Sequence, residues 1–395
     1  MRVLDDGTRR PRPEQGSRAG GLVAGVLIVL IFGLLIWYPV SRSSDRPVSE
    51  SVAEPDSGAE AQEAQGSAEA ILLLDVLIPR LAGSLVVTIG VGDFELLIWP
   101  ADGSAPESVD IGDAESPAGP DAPPVTWDAS GSAYAFLRHL DGGGTALYVG
   151  SDAGYFPLAG SVKWLAWHAT EPGRLAWTVA GADGVEQQLF VAGVAGPASS
   201  EPLLFATLPA TDRLLGWDEA GFVLGFEDEE TGGEWTRRID DTGREIGRAR
   251  ATLVAMRGDG QLLLTTRTVQ SSSFYRVDQE WGALTALELA PAEASGRVKP
   301  AAWAPDGRIA FIARDLYTNR WRLEVLEPDG GAPVVQELPG QVWDVGWSPD
   351  GRFVVMPGFD NRAGRGHLVF AYDSLEATLY EVEFDTRVAS VLVRP

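Results

Sequence analysis

Trp303-Ala304-Pro305-Asp306-Gly307-Arg308 returns further along the chain as Trp347-Ser348-Pro349-Asp350-Gly351-Arg352. Each copy lies between two short apolar stretches, such as residues 309–312 after the first copy. Proline has no N–H to donate to a strand partner, and Asp-Gly supplies the positive φ of a tight hairpin turn. Self-similarity at a spacing of a few dozen residues is typical of propellers and solenoids, whose units pack against their neighbours.

Weaker copies of the pattern occur earlier in the chain, anchored by Trp127, Trp167 and Trp217, with Met256 in the same position once. Several short strands and one aromatic anchor per repeat describe a propeller blade, in which the indole fills the space between neighbouring sheets. The residues expected to be structural anchors are Trp127, Trp167, Trp217, Trp303, Asp306, Gly307, Trp347, Asp350 and Gly351.

The two ends of the repeat region complement each other. Residues 387–395 match the first strand of a repeat and then stop, whereas residues 83–88 and 96–99 read like the strands that should follow. We therefore expect an all-β fold, a seven-bladed β-propeller closed by pairing of the N- and C-terminal strands, which removes the open sheet edges. Six or eight blades are the alternatives, because residues 70–78 could hold another strand. Residues 103–124 are expected to loop out after the split blade.

The Trp-Ser/Ala-Pro-Asp-Gly-Arg signature resembles the TolB-like β-propeller repeat, which is related to the WD-repeat propellers. The resemblance covers roughly residues 80–395 and is strongest at Trp303 and Trp347. It implies a fold rather than an activity, because propellers carry binding, scaffolding and catalytic roles.

The composition excludes several kinds of site. The 395 residues include no cysteine, so no disulfide, thiolate metal site or cysteine nucleophile can form. A net charge of −25 opposes non-specific binding to nucleic acid, and no nucleic-acid partner is expected. The sequence holds no phosphate-binding loop, H-E-x-x-H or G-x-S-x-G motif. No metal or cofactor is expected, and His139, His168 and His367 are interpreted as solvated loop residues.

The N-terminal region predicts a membrane anchor. Residues 21–38 carry no charge, and a helix over residues 21–40 would match a hydrocarbon layer of about 30 Å. Arginines concentrate before this stretch, so the positive-inside rule places residues 1–20 in the cytoplasm. The alternative is a cleaved signal peptide. Residues 41–69 read as a disordered acidic linker and residues 70–395 as the propeller. The predicted location is the cell membrane, single-pass, with the propeller outside (periplasmic or extracellular).

The loops between the second and third strands of each repeat are candidates for a binding surface, because such loops gather on one face of a propeller. Arginine and aromatic residues cluster there in an otherwise acidic chain, which is typical of a recognition surface. The alternative is that these arginines balance nearby acids. The candidate residues are Arg138, His139, Arg314, Tyr317, Arg320, Trp321, Phe359, Arg362, Arg365 and His367.

Two functional hypotheses follow from these patterns. The first is a membrane-anchored extracytoplasmic propeller that acts as a non-enzymatic scaffold for an unknown protein, peptide or cell-envelope component. The second is a propeller enzyme (hydrolase or lyase type) or small-ligand sensor that uses the central channel. The second hypothesis requires carboxylates or a metal to converge on the channel axis.

Overall fold

The computed structural model describes most of the chain from residue 74 onwards. The described residues are 74–115, 123–140, 143–151, 154–194, 199–228, 232–267, 272–278, 281, 284–287, 300–314, 318–360 and 366–395. The predicted membrane helix (21–40), the N-terminus before it and the linker (41–69) lie outside this range. Among the residues described, no helix is long and apolar enough to span a bilayer.

The strands follow one another as antiparallel meanders. The strands up to residue 249 are β1 Ser84–Val91, β2 Asp93–Trp99, β3 Glu107–Gly112, β4 Ala114–Glu115, β5 Thr126–Trp127, β6 Tyr134–His139, β7 Thr145–Ser151, β8 Gly154–Gly160, β9 Val162–Trp167, β10 Arg174–Ala180, β11 Glu186–Gly193, β12 Leu203–Pro209, β13 Arg213–Asp218, β14 Gly221–Asp228, β15 Gly233–Ile239 and β16 Glu245–Ala249. The remaining strands are β17 Thr252–Met256, β18 Leu262–Arg267, β19 Ser272–Val277, β20 Leu284–Ala286, β21 Ala301–Trp303, β22 Ile309–Arg314, β23 Trp321–Leu326, β24 Val334–Leu338, β25 Gln341–Val342, β26 Gly346–Trp347, β27 Phe353–Phe359, β28 His367–Asp373, β29 Thr378–Phe384 and β30 Val388–Arg394.

These strands form seven sheets of four or five strands within the described part of the chain. Blades 1 to 6 are continuous in sequence: β4–β8, β9–β12, β13–β16, β17–β20, β21–β24 and β25–β29. Blade 7 combines β1–β3 with β30. The innermost strands of successive blades contact one another around the ring, as in β9 with β13 and β17 with β21. The predicted seven-bladed propeller is therefore confirmed.

The predicted pairing of the chain's two ends is also confirmed. In blade 7, β30 runs antiparallel to β1, with Leu85 opposite Val393 and Val87 opposite Val391. The buried hydroxyl of Ser390 donates a hydrogen bond of 2.8 Å to that of Thr88 across this seam. This pairing provides partners for the backbone N–H and C=O groups of strand edges that an open ring would expose.

The structure decides against the alternative of an eighth blade and corrects the expectation for residues 103–124. Residues 74–77 form a helical turn that continues as the 3₁₀ helix Ile78–Arg80, so they do not supply an eighth blade. Residues 103–124 do not simply loop out, because they contain β3, the outer strand of blade 7, and β4 of blade 1. The pattern Val109-Asp110-Ile111 has the period-two alternation of a half-buried strand, with Ile111 fully buried.

The repeat tryptophans hold neighbouring blades together. Trp167, Trp217 and Trp347 are 8%, 6% and 7% exposed, as expected for core residues. The indole Nε1 of Trp347 donates a hydrogen bond of 3.1 Å to the Ala302 carbonyl of blade 5. The Nε1 of Trp167 donates in the same way to Thr126 of blade 1, over 3.2 Å. Each of these two indoles therefore ties its blade to the preceding one.

The arginine that ends the repeat signature acts in the opposite direction along the ring. The guanidinium of Arg308, in blade 5, lies 5.0 Å from the ring centroid of Trp347 in blade 6. Arg174 stacks similarly on Trp217 of the next blade, at 4.7 Å. Cation–π contacts of this kind stabilise a junction by about 0.5–2 kcal/mol, depending on burial.

The propeller has two distinct faces. The turn face carries the Pro-Asp-Gly turns and the loops between third and fourth strands, and the loop face carries the opposite strand ends. The segment of residues 74–81 lies on the turn face, where Leu77 and Leu81 are fully buried between blades 6 and 7. There Arg80 pairs with Asp373 at 3.3 Å and with Glu376 at 2.5 Å. The N-terminal segment therefore enters the ring on the turn face.

A candidate binding cavity between blades 5 and 6

A cavity of about 540 Å³ opens on the loop face where blades 5 and 6 meet. It lies between the β22–β23 connection and the link from β24 to β25. The lining residues are Arg314, Thr318, Asn319, Arg320, Trp321, Glu337, Leu338, Pro339, Gly340, Gln341 and Phe359. Four of the predicted binding residues, Arg314, Arg320, Trp321 and Phe359, are thus brought together around one cavity.

One wall of the cavity is a row of three side chains across the loop-face end of blade 5. Arg314 on β22 is opposite Trp321 on β23, and Trp321 is opposite Leu338 on β24. Leu338 is buried in the core that blades 5 and 6 share, and Trp321 packs against that core. The hydrophobic junction beneath the cavity therefore determines where the indole lies.

The Arg314 guanidinium is held above this indole. Its Cζ lies 5.5 Å from the Trp321 ring centroid, and its Nε donates a hydrogen bond of 2.8 Å to Oδ1 of Asn319. Asn319 has a φ of 55°, a left-handed conformation that asparagine tolerates better than most residues. The loop conformation thus places the amide that orients Arg314.

Two glycines let the link between the blades lie tight against β27. A Cβ atom on Gly340 would lie 2.2 Å from the Phe359 carbonyl oxygen, and one on Gly358 would lie 2.5 Å from both the Gln341 carbonyl oxygen and the Phe370 ring. Real side chains do not approach so closely. The shape of this cavity wall therefore depends on glycine at both positions.

The second arginine of the cavity already has a partner. Arg320 lies 3.3 Å from Glu337, with side chains that are 69% and 73% exposed. Such an exposed pair adds about 0–1 kcal/mol to stability. Two arginines and one glutamate give the cavity lining a net positive charge in a chain whose overall charge is −25.

Aromatic side chains continue beyond the cavity on blade 6. The ring of His367 lies 5.1 Å from that of Phe359 and 6.3 Å from that of Trp343. Burial, together with the positive charge of Arg387, lowers the pKa of His367. Its buried Nδ1 has no hydrogen-bond partner among the described residues. The lowered pKa favours the neutral imidazole, and the ring extends the aromatic rim of the cavity.

The remaining predicted binding residues do not line this cavity. Arg138 belongs to blade 1, where its Nε lies 3.0 Å from Asp113 and its guanidinium stacks on Tyr148 at 5.3 Å. His139 forms an ion pair with Glu115. At these two positions the structure shows the alternative in which the candidate residues balance nearby acids. The other three predicted residues, Tyr317, Arg362 and Arg365, lie outside the described residues.

One histidine prediction was wrong. His168 is 2% exposed rather than solvated, because its ring packs edge-on against Trp217 at 4.6 Å. Its Nδ1 accepts a hydrogen bond of 3.0 Å from the Glu171 backbone N–H. Burial lowers the pKa of His168. In the part of the chain that is described, no three His, Asp or Glu side chains are grouped as a metal would require.

A second cavity, of about 310 Å³, lies among the inner strands of blades 1 to 4. Its lining is mainly apolar and includes Trp127, Trp164 and Met256, with Arg213 as the charged residue. On the inner strand of blade 6, burial raises the pKa of Asp344 to about 7. This carboxyl has no cation within ion-pair distance in the described structure, and its Oδ1 accepts a hydrogen bond from the Val345 N–H. No other described acid contributes to this shift, so the described residues show no coupled pair of carboxyls at Asp344.

Sequence reasoning missed several lining residues, above all Glu337 and Gln341. The Pro339-Gly340 pair did mark the link between repeats, since such dipeptides favour turns. This dipeptide could have located the cavity wall, but only if the packing of blade 5 against blade 6 had also been known.

Comparison with known proteins supports the fold alone. No protein-family model and no curated protein matches the sequence. The β-propeller domain of the Trilobed protease from Pyrococcus furiosus, described as having an open velcro topology, is 13% identical, with 76% of this chain and 95% of that domain covered and a TM-score of 0.56. An acylaminoacyl peptidase from Pyrococcus horikoshii is 12% identical with a TM-score of 0.53; the match covers 76% of this chain and only 51% of the peptidase.

TolB from Acinetobacter baumannii is also similar, at 13% identity over 76% of this chain and 79% of TolB. Its TM-score of 0.41 is too low to support an argument about family. The TolB-like resemblance of the repeat signature therefore stays an interpretation of the sequence. The fold common to these proteins is the β-propeller, and this chain is a seven-bladed example closed by its terminal strands.

Proposed function

We propose that this chain is a membrane-anchored extracytoplasmic propeller that works as a non-enzymatic binding scaffold. Its binding surface is the loop face around the cavity between blades 5 and 6. The partner is a protein, a peptide or a cell-envelope component. The observation that carries this proposal is the convergence of Arg314, Arg320, Trp321 and Phe359 on one cavity.

The physical character of the cavity supports recognition. Arginine and tryptophan are enriched where binding energy concentrates in interfaces. A closed ring also presents these side chains from strand ends, so little conformational entropy is lost when a partner binds. The exposed Arg320–Glu337 pair can exchange partners at small cost.

The entry point of the N-terminal segment supports the same surface. Residues 74–81 approach on the turn face and are fastened there through Arg80, Asp373 and Glu376. The loop face is at the opposite end of the strands, so the described residues that precede β1 do not cover the cavity. The membrane anchor itself rests on the apolar stretch of residues 21–40.

The channel hypothesis has less support. A small-molecule site needs several polar groups that converge within an enclosed pocket. The inner-strand cavity is lined mainly by apolar residues, and no other acid among the described residues contributes to the raised pKa of Asp344.

A pull-down from membranes of the native cell tests the proposed surface. The full-length chain carrying R314E and R320E should lose the partners that the wild type recovers. The matched control is R244E, because Arg244 is 82% exposed and lies on the turn face beside Asp240. Equal recovery by the cavity variant and the control would remove this surface from consideration.

A separate experiment tests the membrane anchor. Deletion of residues 21–40 should release the chain from the membrane fraction, and retention there would refute the anchor.

A further inference from the structure

We infer that the cavity between blades 5 and 6 binds a carboxylate attached to an apolar group, with Arg314 as the residue that receives the carboxylate. This inference rests on the proposed function, since it names the chemistry that the same surface recognises. It depends on three properties of the cavity: an oriented guanidinium, the lack of a described acid within ion-pair distance of it, and an adjacent apolar wall.

The orientation of Arg314 comes from two contacts on different sides of the group. Oδ1 of Asn319 accepts a hydrogen bond from its Nε, and its Cζ lies over the Trp321 ring, 5.5 Å from the ring centroid. The two terminal amino groups are not used in either contact. A guanidinium presents its donors as a planar fork that matches the two oxygens of a carboxylate. Because the fork is already held in place, less side-chain entropy is lost on binding.

No acid in the described structure lies within ion-pair distance of Arg314. The contrast with other arginines is clear, because Arg320 pairs with Glu337, Arg138 with Asp113 and Arg308 with Asp306. Among the described residues that line the cavity, Arg314 is the one cation that no carboxylate neutralises. Arg314 is thus the cavity group best suited to an external anion.

The rest of the lining indicates which anion. Trp321, Pro339 and Phe359 are partly buried and form an apolar wall beside Arg314. A ligand that carries an apolar group next to its carboxylate would cover this wall. A phosphate dianion is less well matched, because only one cation of the described lining lacks an acidic partner and Glu337 lies in the same cavity. A chain terminus and an acidic side chain are two sources of the same carboxylate chemistry.

Ligand-detected NMR titration of the full-length chain in detergent micelles tests the inference with three probes. These are acetyl-Ala-Phe with a free carboxylate, its C-terminal amide, and acetyl-Asp-Phe amide, which carries a side-chain carboxylate instead. We expect the free acid to bind with a Kd on the order of 1 mM, and the neutral amide at least about tenfold more weakly. Binding of the aspartyl probe as tightly as the acid would assign the site to acidic side chains as well as chain ends.

Variants of the cavity decide whether Arg314 is responsible. R314Q should weaken the acid probe at least about tenfold and leave the amide unchanged, and N319A should weaken the acid by a smaller factor. R244Q is the matched control and should change nothing. Circular dichroism of each variant shows whether the fold is retained.

Three results of the titrations would overturn the inference: equal binding of acid and amide, wild-type binding of the acid by R314Q, or no detectable binding of the acid. Inorganic phosphate and acetate are then added as competitors of the bound acid. Displacement by phosphate as effective as displacement by acetate would also overturn the inference. Failure here is separable from failure of the proposed function. Should the acid not bind while partner recovery still depends on Arg314 and Arg320, the loop face remains the binding surface and only its ligand chemistry is wrong.

Discussion

Replacing Trp347 with alanine should loosen the junction between blades 5 and 6. The indole is 7% exposed, donates a hydrogen bond to the Ala302 carbonyl and lies under the Arg308 guanidinium at 5.0 Å. Truncation of a buried tryptophan costs about 3–5 kcal/mol, and the carbonyl left without its donor places W347A near the upper end of that range. W347F keeps a ring for Arg308 and loses the N–H donor, so we expect a cost of about 1–2 kcal/mol.

Urea unfolding of the full-length chain, followed by circular dichroism, measures both variants. The unfolding free energies of the variants can be compared only if the slope of free energy against urea concentration is the same as in the wild type. L375A is the control, because Leu375 is 74% exposed, and its effect should stay within about 0.5 kcal/mol. A cost for W347A as small as that of L375A would refute the claim that this indole holds the junction. An equal cost for W347F and W347A would instead assign the effect to the hydrogen bond.

Three other substitutions have defined outcomes. Because the pKa of Asp344 is raised to about 7, the folded chain holds that proton more tightly than the unfolded chain, so stability falls as pH rises from about 4 to about 7. D344N should therefore be more stable than the wild type in urea by about 2 kcal/mol at pH 8. This is half the free energy that the full pKa shift would give, because the side chain is partly exposed. The gain should be smaller at pH 5.5, and an equal gain at both pH values contradicts this. R238M removes the guanidinium that pairs with the fully buried Asp218 and should cost about 3–5 kcal/mol in the same assay. The R238M/D218L double variant should recover part of this loss. No recovery would show that the unpaired charge is not the cause. G340A forces a Cβ against the Phe359 carbonyl and should weaken the acid probe in NMR titration, with unchanged affinity as the contrary result.

The sequence predicted the architecture because the repeat places strong local signals at fixed offsets. Asp-Gly turns and tryptophan anchors mark hairpins and blade junctions, so the five tryptophan repeats, the copy at Met256 and the split blade add up to seven. The match between residues 387–395 and a first strand was enough to predict the β1–β30 pairing. The helical segment of residues 74–80 was missed because its apolar residues are too few to show a period, and its position depends on tertiary contacts with blades 6 and 7.

The candidate site was only half predictable. Arginines and aromatics in the loops could be assigned to one face from strand topology. Which of them share a cavity depends on the packing of neighbouring blades, and the contribution of Glu337 and Gln341 came from a link that bears no binding signal. His168 was mistaken for a solvated residue because its burial depends on Trp217, which lies in the next blade, 49 residues further along the chain.

An engineered disulfide across blade 7 tests the closed ring, and with it the assignment of the two faces. The chain has no cysteine of its own, and the buried hydroxyls of Thr88 and Ser390 are 2.8 Å apart. T88C/S390C should form an intramolecular disulfide under mild oxidation, visible as a faster band on a non-reducing gel, and gain about 2–4 kcal/mol in urea. T88C/T178C, which joins blades 7 and 2, should not. If both thiols of T88C/S390C remain reactive in the folded chain, the terminal strands are not paired and the ring described above is open.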